Sequence, residues 1–169
     1  MKNEFRKSGC ALSALLCSLA MMPLQAADVV PAKLLSLDIA TDIAQGAIAA
    51  CRADGSQVSV VVVDRSGRTQ VLLRDVFSNQ YFTELAAGKA RAVVLANTGS
   101  GELRSNRADM VDELNQLDGI FVLQGGLPVQ VAGSTIGAVG VSGAPGGDKD
   151  EACARKGIDA VQERLDFAE

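Results

Sequence analysis

The chain has 169 residues, of which 48% are hydrophobic, 21% charged and 4% aromatic, so we expect a globular domain rather than a disordered or fibrous protein. It has no histidine, which excludes Ser-His-Asp and Cys-His catalysis and histidine-bearing zinc or iron sites. The formal net charge of −4 argues against a nucleic-acid-binding surface, and we expect no nucleic acid among the partners.

The amino terminus has the pattern of a secretory signal peptide. Three basic residues within the first seven positions are followed by an uncharged apolar run from Cys10 to Leu24. This run is short for a membrane-spanning helix, and the residues after it predict cleavage behind Ala26. We therefore expect a signal peptide over residues 1–26 and a single domain over residues 27–169, located in the periplasm or outside the cell.

Removal of the signal peptide makes the chain more acidic. The first 26 residues carry three basic and one acidic side chain, so the remaining 143 residues have 13 basic and 19 acidic side chains and a net charge of −6. We expect this domain not to insert into a membrane. An uncleaved N-terminal anchor is one alternative, and a lipoprotein modified at Cys17 is another, although the bulky Leu16 before it fits that alternative poorly.

A helix and a β-hairpin open the predicted domain. Apolar residues recur every three or four positions between Pro31 and Asp54, which predicts an amphipathic helix over that range. The β-branched run of residues 58–64 predicts a buried strand, and residues 69–74 its hairpin partner. Asp64 lies at the turn between these strands and is a candidate ligand contact. We expect that its main role is to fix the turn.

Two helices are predicted next, followed by three short strands and a last helix. Ser78 is the expected N-cap of a helix over residues 79–96, whose many small residues favour close packing on a sheet. The other predicted elements are a polar helix over 102–116, strands over 120–123, 129–132 and 135–142, a turn over 125–128, a hairpin loop at Gly133 and Ser134, and a helix from Asp148 to Leu165. This order predicts an α+β domain with a five-stranded, mostly antiparallel sheet flanked by helices.

Two cysteines lie after residue 26, and we predict that they form a disulfide. Cys51 lies in the last turn of the first predicted helix, and Cys153 in the first turn of the last one. If these helices pack antiparallel on one side of the sheet, the two cysteines lie level, with Cα atoms less than about 7 Å apart. Closing a loop of about 100 residues would stabilise the fold by about 4–5 kcal/mol in the chain-entropy description. Two buried thiols are the alternative.

Four blocks of sequence, taken in order, resemble the GlcG/HbpS family. They are Val60–Asp64 with Gly67, Gly88–Ala92, Gly125–Val129 leading into Gly133–Gly143, and Asp150–Ala154. The resemblance spans roughly residues 33–165. It implies a profilin-like fold with a five-stranded antiparallel sheet and assembly into a homo-oligomer.

The resemblance also implies a function linked to haem. It favours an exported haem- or tetrapyrrole-binding accessory protein, linked to a periplasmic redox or catabolic system. A module that binds a small organic anion and assists a periplasmic dehydrogenase is the first alternative, and a haem-degrading enzyme is the second. The sequence offers no acid–base or nucleophile pair, so we predict no catalytic residue.

Five further residues are candidate ligand contacts. Tyr81, the one tyrosine of the chain, could ligate haem iron through its phenol oxygen or pack with its hydroxyl at the surface. Lys89 could pair with a propionate or another carboxylate, the alternative being a lysine that reaches solvent. Arg74 could bind the same anion. Gly125 and Gly126 are expected to form a turn and to allow another group to approach the backbone closely.

Overall fold

The structure is a computed structural model that describes residues 31–168. The predicted signal peptide, residues 1–26, lies outside the described residues. Within them, no helix is long and apolar enough to cross a membrane. The elements are α1 (Leu37–Ala53), β1 (Ser59–Asp64), β2 (Thr69–Arg74), α2 (Gln80–Ala96), α3 (Ser100–Asn106), α4 (Val111–Leu114), β3 (Gly126–Val131), β4 (Ser134–Ser142), α5 (Gly147–Asp159) and α6 (Gln162–Asp166).

An antiparallel sheet with the strand order β2-β1-β4-β3 forms the centre of the fold. In its register Ser59 of β1 lies between Arg74 of β2 and Ser142 of β4, and Asp64 lies opposite Gly137. Since a strand rises about 3.4 Å per residue, Asp64 is about 17 Å from Ser59 along β1. Arg74 and Ser142 therefore share one end of the sheet, and Asp64 lies at the other end.

Helices cover both faces of this sheet. Val60 and Val62 of β1 pack in the larger core beneath α1 and α5. Val61 and Val63 point to the opposite face, where they pack against small residues of α2. Because β1 is covered on both sides, its four valines are all buried, which explains the continuous apolar run in the sequence. The α+β class predicted from the sequence is confirmed.

Close packing of helices on the sheet depends on small residues. A Cβ atom at Gly140 of β4 would overlap the carbonyl oxygen of Ala86 in α2. This contact confirms the close approach predicted from the small residues of this helix.

The predicted disulfide joins α1 to α5. The sulfur atoms of Cys51 and Cys153 are 2.08 Å apart, and the two Cα atoms are 5.4 Å apart. Along the same antiparallel contact, a Cβ at Gly46 would lie 3.1 Å from the Cα of Gly157. The bond therefore fixes the second turn of α5 against the last turn of α1.

The strand predicted over residues 120–123 does not form, so within residues 31–168 the sheet has four strands rather than five. The Phe121 N–H donates to the Gly88 carbonyl oxygen at 3.2 Å, and the Val122 N–H donates to Asn115 Oδ1 at 2.8 Å. A side chain at Gly88 would overlap the Phe121 ring. The segment is apolar because it packs on α2, and not because it pairs with another strand.

The predicted helix boundaries need several corrections. Segment 102–116 forms the two short helices α3 and α4, because its few apolar side chains give a continuous helix little packing. The last predicted helix is divided into α5 and α6 at Val161, which is buried and has a φ of −119°. The N-cap of α2 is Asn79, whose side chain accepts from the Phe82 N–H at 3.3 Å. Ser78, the predicted cap, is instead buried against Ser59.

Three boundaries near turns also differ from the prediction. The β3–β4 loop is Ala132 and Gly133, one residue earlier than expected, and both have the positive φ that a type I′ turn requires. Residues 126–128, predicted as a turn, belong to the edge strand β3, where Pro128 is tolerated. α1 begins at Leu37 rather than near Pro31.

Candidate functional site

A cavity of about 230 Å³ lies at the end of the sheet that carries Ser142. Phe82, Leu85 and Lys89 of α2 form part of its wall, with Arg104 of α3 and Asp150 of α5. We call this cavity the Lys89 pocket. It lies where three helices, the end of β4 and the connection before β3 meet.

Lys89 is a buried cation with a fixed partner. Its side chain belongs to a residue that is only 3% exposed, and its Nζ donates to Asp150 Oδ2 at 2.7 Å and to the Val141 carbonyl oxygen at 2.8 Å. The solvent-exposed alternative for this lysine is therefore wrong. Asp150 is also buried, and its Oδ1 accepts from the Ala144 N–H at 3.0 Å. These contacts compensate the cost of removing both charges from water.

Two glycines make room for this ion pair. Gly125 has a φ of +127°, and a Cβ there would lie 2.8 Å from both Asp150 Cβ and Lys89 Nζ. At Gly126 a Cβ would lie 2.7 Å from the Lys89 carbonyl oxygen. The close approach predicted at these glycines is confirmed, and the approaching groups belong to the protein itself. Lys89 of α2 thus meets Asp150 of α5, on the other face of the sheet, next to Gly125, which has no side chain.

Burial changes the acidity of Asp150. Removal from water raises the pKa of its carboxyl group, while the charge and hydrogen bond of Lys89 partly offset that rise. The carboxylate also lies in the first turn of α5, where the helix dipole favours negative charge. The charge state of Asp150 therefore depends on how closely α2 and α5 hold Lys89 against it.

A second candidate region lies at the connection between β2 and α2. Arg74, Val76, Phe77 and Tyr81 lie in or beside this connection, and we call them the Tyr81 surface. Tyr81 is 71% exposed and Phe77 is 82% exposed. Arg74 Nη1 donates to the Ser78 carbonyl oxygen at 2.5 Å, which fixes the guanidinium group beside the start of α2.

The structure separates the predicted site residues into groups. Lys89 lines the Lys89 pocket, and Gly125 and Gly126 lie against Lys89 without being part of the pocket wall. Arg74 and Tyr81 lie on the Tyr81 surface, and Leu85, one turn after Tyr81 on α2, connects this surface to the pocket wall.

Asp64 belongs to neither region. Its Oδ1 accepts from the Ser66 N–H at 2.7 Å and from the Arg68 N–H at 3.0 Å. These contacts confirm its role in fixing the β1–β2 turn, at the end of the sheet opposite Ser142.

The charged residues Asp150 and Arg104 of the pocket were not predicted as site residues from the sequence. Asp150 begins one of the blocks that resemble the GlcG/HbpS family. Arg104 lies on a polar segment, where an arginine is typical of a solvated helix face. The burial of Lys89 is the signal that demands an acidic partner, and it is visible only in the structure.

Comparison with protein families agrees with this architecture. The family described as "Haem degrading protein HbpS-like" matches residues 35–159. The chain belongs to this family. Its resemblance to the GlcG/HbpS family, inferred from the four sequence blocks, is thereby confirmed.

Solved structures show the same HbpS-like fold. A double mutant of Streptomyces reticuli HbpS is 36% identical, with a TM-score of 0.73, over 84% of this chain and 98% of that chain. The Klebsiella pneumoniae protein ORFY is 24% identical, with a TM-score of 0.75, over 82% of this chain and 97% of that chain. A PduOC–haem complex is 24% identical, with a TM-score of 0.67, over 76% of this chain and 95% of that chain. The last two show similarity of fold alone. No curated protein sequence matches the chain.

Proposed function

We propose that this HbpS-like protein is exported and binds haem at the Tyr81 surface. The observation that carries the proposal is the exposed phenol of Tyr81, which follows the exposed apolar side chains of Val76 and Phe77 by five and four residues, and the arginine that ends β2. A phenol oxygen is an attested ligand of ferric haem, apolar side chains can contact the ring, and an arginine can pair with a propionate. Bound haem would supply a redox-active iron.

The donor groups of the described residues fit this assignment. The chain has no histidine, and both cysteines of residues 31–168 are joined in the disulfide. Lys89 is occupied by its ion pair, and the sulfur of Met110 contacts a guanidinium group. Tyr81 combines a phenol oxygen with an open approach.

The size of the Lys89 pocket favours the open surface for the tetrapyrrole ring. Its volume of about 230 Å³ is below the range of about 300–1,000 Å³ that is usual for enclosed ligand sites. A ring on an open surface leaves one face uncovered, and a second copy of the chain in the proposed homo-oligomer would cover it. A link to a periplasmic redox or catabolic system is part of the same proposal.

A titration of the purified protein with hemin tests the assignment. We expect a saturable shift of the Soret band, with the charge-transfer bands of a phenolate–iron complex. Tyr81→Phe removes the oxygen donor, so these bands should disappear and affinity should fall by at least about tenfold. Leu95→Ala, which alters an exposed residue of the same helix, is the matched control. No Soret shift at several-fold excess, or an unchanged spectrum in Tyr81→Phe, would refute the assignment.

Export is tested separately by sequencing the amino terminus of the protein recovered from the periplasm or medium. The amino-terminal pattern and the disulfide support export, because disulfides persist in oxidising compartments. We expect the mature chain to begin at Ala27. Recovery only from the cytoplasm, beginning at Met1, would contradict export without affecting haem binding.

A further inference from the structure

Lys89 in the wall of the Lys89 pocket does not use all of its hydrogen-bond donors on described residues. An ammonium group has three N–H donors, and among residues 31–168 Lys89 uses two of them, on Asp150 and Val141. Both oxygens of Asp150 already accept hydrogen bonds, one from Lys89 and one from the Ala144 N–H. Lys89, which lines the cavity, therefore has one N–H without a partner among these residues.

Arg104 adds a second donor at the pocket wall. It is exposed, and no carboxylate of residues 31–168 lies within 4.0 Å of its guanidinium nitrogens. The first turn of α5 also borders the cavity through Gly147, and the N-cap Gly146 supplies no side-chain hydrogen bond. The first N–H groups of a helix lack partners within the helix and favour an anion. Two basic side chains and the first turn of α5 thus border one cavity.

The charges of the pocket select a ligand with one negative charge. Lys89 and Asp150 neutralise each other, which leaves the single positive charge of Arg104. Asp148, in the same turn as Asp150, places a further negative charge nearby and disfavours a second carboxylate on the ligand. Apolar side chains of Phe82 and Leu85 cover another part of the wall.

We infer that the Lys89 pocket binds the carboxylate group of a short monocarboxylic acid, with Arg104 as its main charged contact and Phe82 and Leu85 against its apolar part. The carboxylate could belong to a free acid or to a propionate arm of a tetrapyrrole on the neighbouring Tyr81 surface. The inference does not require haem to bind, because the donors and the cavity belong to the protein alone.

Titration with sodium propionate, followed by amide chemical shifts, tests the site. We expect saturable shifts in the first turn of α5 and in α3, and none with the neutral analogue propionamide. Arg104→Gln should weaken propionate binding by at least about tenfold, since it removes a charge-assisted contact. Arg107→Gln, an exposed arginine nearby that is not part of the pocket wall, is the matched control and should bind like the unaltered protein. Because Arg104 is exposed, its replacement should leave the fold intact.

Competition experiments distinguish the two sources of the carboxylate. Displacement of propionate by hemin, but not by hemin dimethyl ester, would assign the site to a tetrapyrrole arm, and retention of propionate in both would assign it to a free acid. Either result supports the site. Absence of saturable propionate binding up to ~50 mM, far above a Kd of ~1 mM, or equal binding by Arg104→Gln, would overturn it. Tyr81→Phe should leave the propionate titration unchanged, so this site and haem binding succeed or fail separately.

Discussion

The Lys89 pocket and the Tyr81 surface adjoin each other along α2, yet they are built in opposite ways. In the pocket, an ammonium and a carboxylate are both buried and have fixed hydrogen-bond partners. On the surface, a phenol and large apolar side chains are exposed to solvent. The ion pair of the pocket therefore connects layers of the fold, whereas the surface leaves its phenol and apolar side chains free for another molecule.

This contrast separates stability from binding. Changes at the ion pair should alter the free energy of unfolding, because they leave a buried group without its partner. Changes on the Tyr81 surface should alter ligand binding while the fold keeps its stability. The following variants test this separation.

Lys89→Met should have the largest effect on stability. It leaves Asp150 buried without its cation, and removal of one member of a buried pair costs about 3–5 kcal/mol. Urea unfolding of this variant measures the loss. The exposed Lys156→Met is the control, and the double variant Lys89→Met/Asp150→Leu should recover part of the loss. Equal stability of Lys89→Met and Lys156→Met would contradict the structural role of the pair.

Gly125→Ala should destabilise the fold by about 2–4 kcal/mol. The new Cβ would lie 2.8 Å from Lys89 Nζ and 2.9 Å from the Val141 carbonyl oxygen, at a φ of +127°. Gly133→Ala is a useful control, because Gly133 also has a positive φ but its Cβ would meet nothing within 4 Å. Thermal or urea unfolding that shows the same loss for both variants would exclude crowding at the ion pair as the cause.

The stability difference between the unaltered protein and Asp150→Asn should depend on pH. Because burial raises the pKa of Asp150 in the folded state, the folded chain holds this proton more tightly than the unfolded chain. The contribution of this group to stability is therefore present at low pH and is lost as the pH rises through the folded pKa. The slope of the difference should stay below about 1.4 kcal/mol per pH unit. A difference that increases with pH would contradict the direction of the shift.

Tyr81→Phe and Phe77→Ser should have the smallest effects on stability, within about 0.5 kcal/mol. Both side chains are exposed, so their replacement removes little packing. The same unfolding experiments, run beside the hemin titration, compare stability with binding in one set of proteins. A loss of several kcal/mol in the free energy of unfolding of either variant would show that these side chains stabilise the fold. It would contradict the proposed difference between the Tyr81 surface and the Lys89 pocket.

The sequence correctly predicts the elements that are determined by the residues within them. The valine run of β1 and the Cys51–Cys153 disulfide follow from periodicity and helix position, and both are present. The apolar segment 120–123 has the same local pattern as a strand, but it packs on a helix, and only the arrangement of other elements decides between these outcomes.

The candidate site is harder to predict for the same reason. Lys89 and its partner Asp150 are 61 residues apart, so no spacing rule connects them. Whether Lys89 reaches solvent or lies buried depends on how α5 meets α2 at Gly125, which has no side chain. Tyr81 was a candidate from its residue type, while its exposure and its apolar neighbours are properties of the β2–α2 connection.

The Cys51–Cys153 disulfide also restricts how the chain can be oxidised. Its cysteines are separated by 102 residues, so the bond closes only once the chain as far as α5 has been brought together. Because no other cysteine lies after residue 26, a refolding chain that lacks the first 26 residues has a single intramolecular disulfide to form and no mispaired isomer to correct. A simple thiol oxidant, without a disulfide isomerase, should therefore be enough to regenerate the native bond from reduced and unfolded protein.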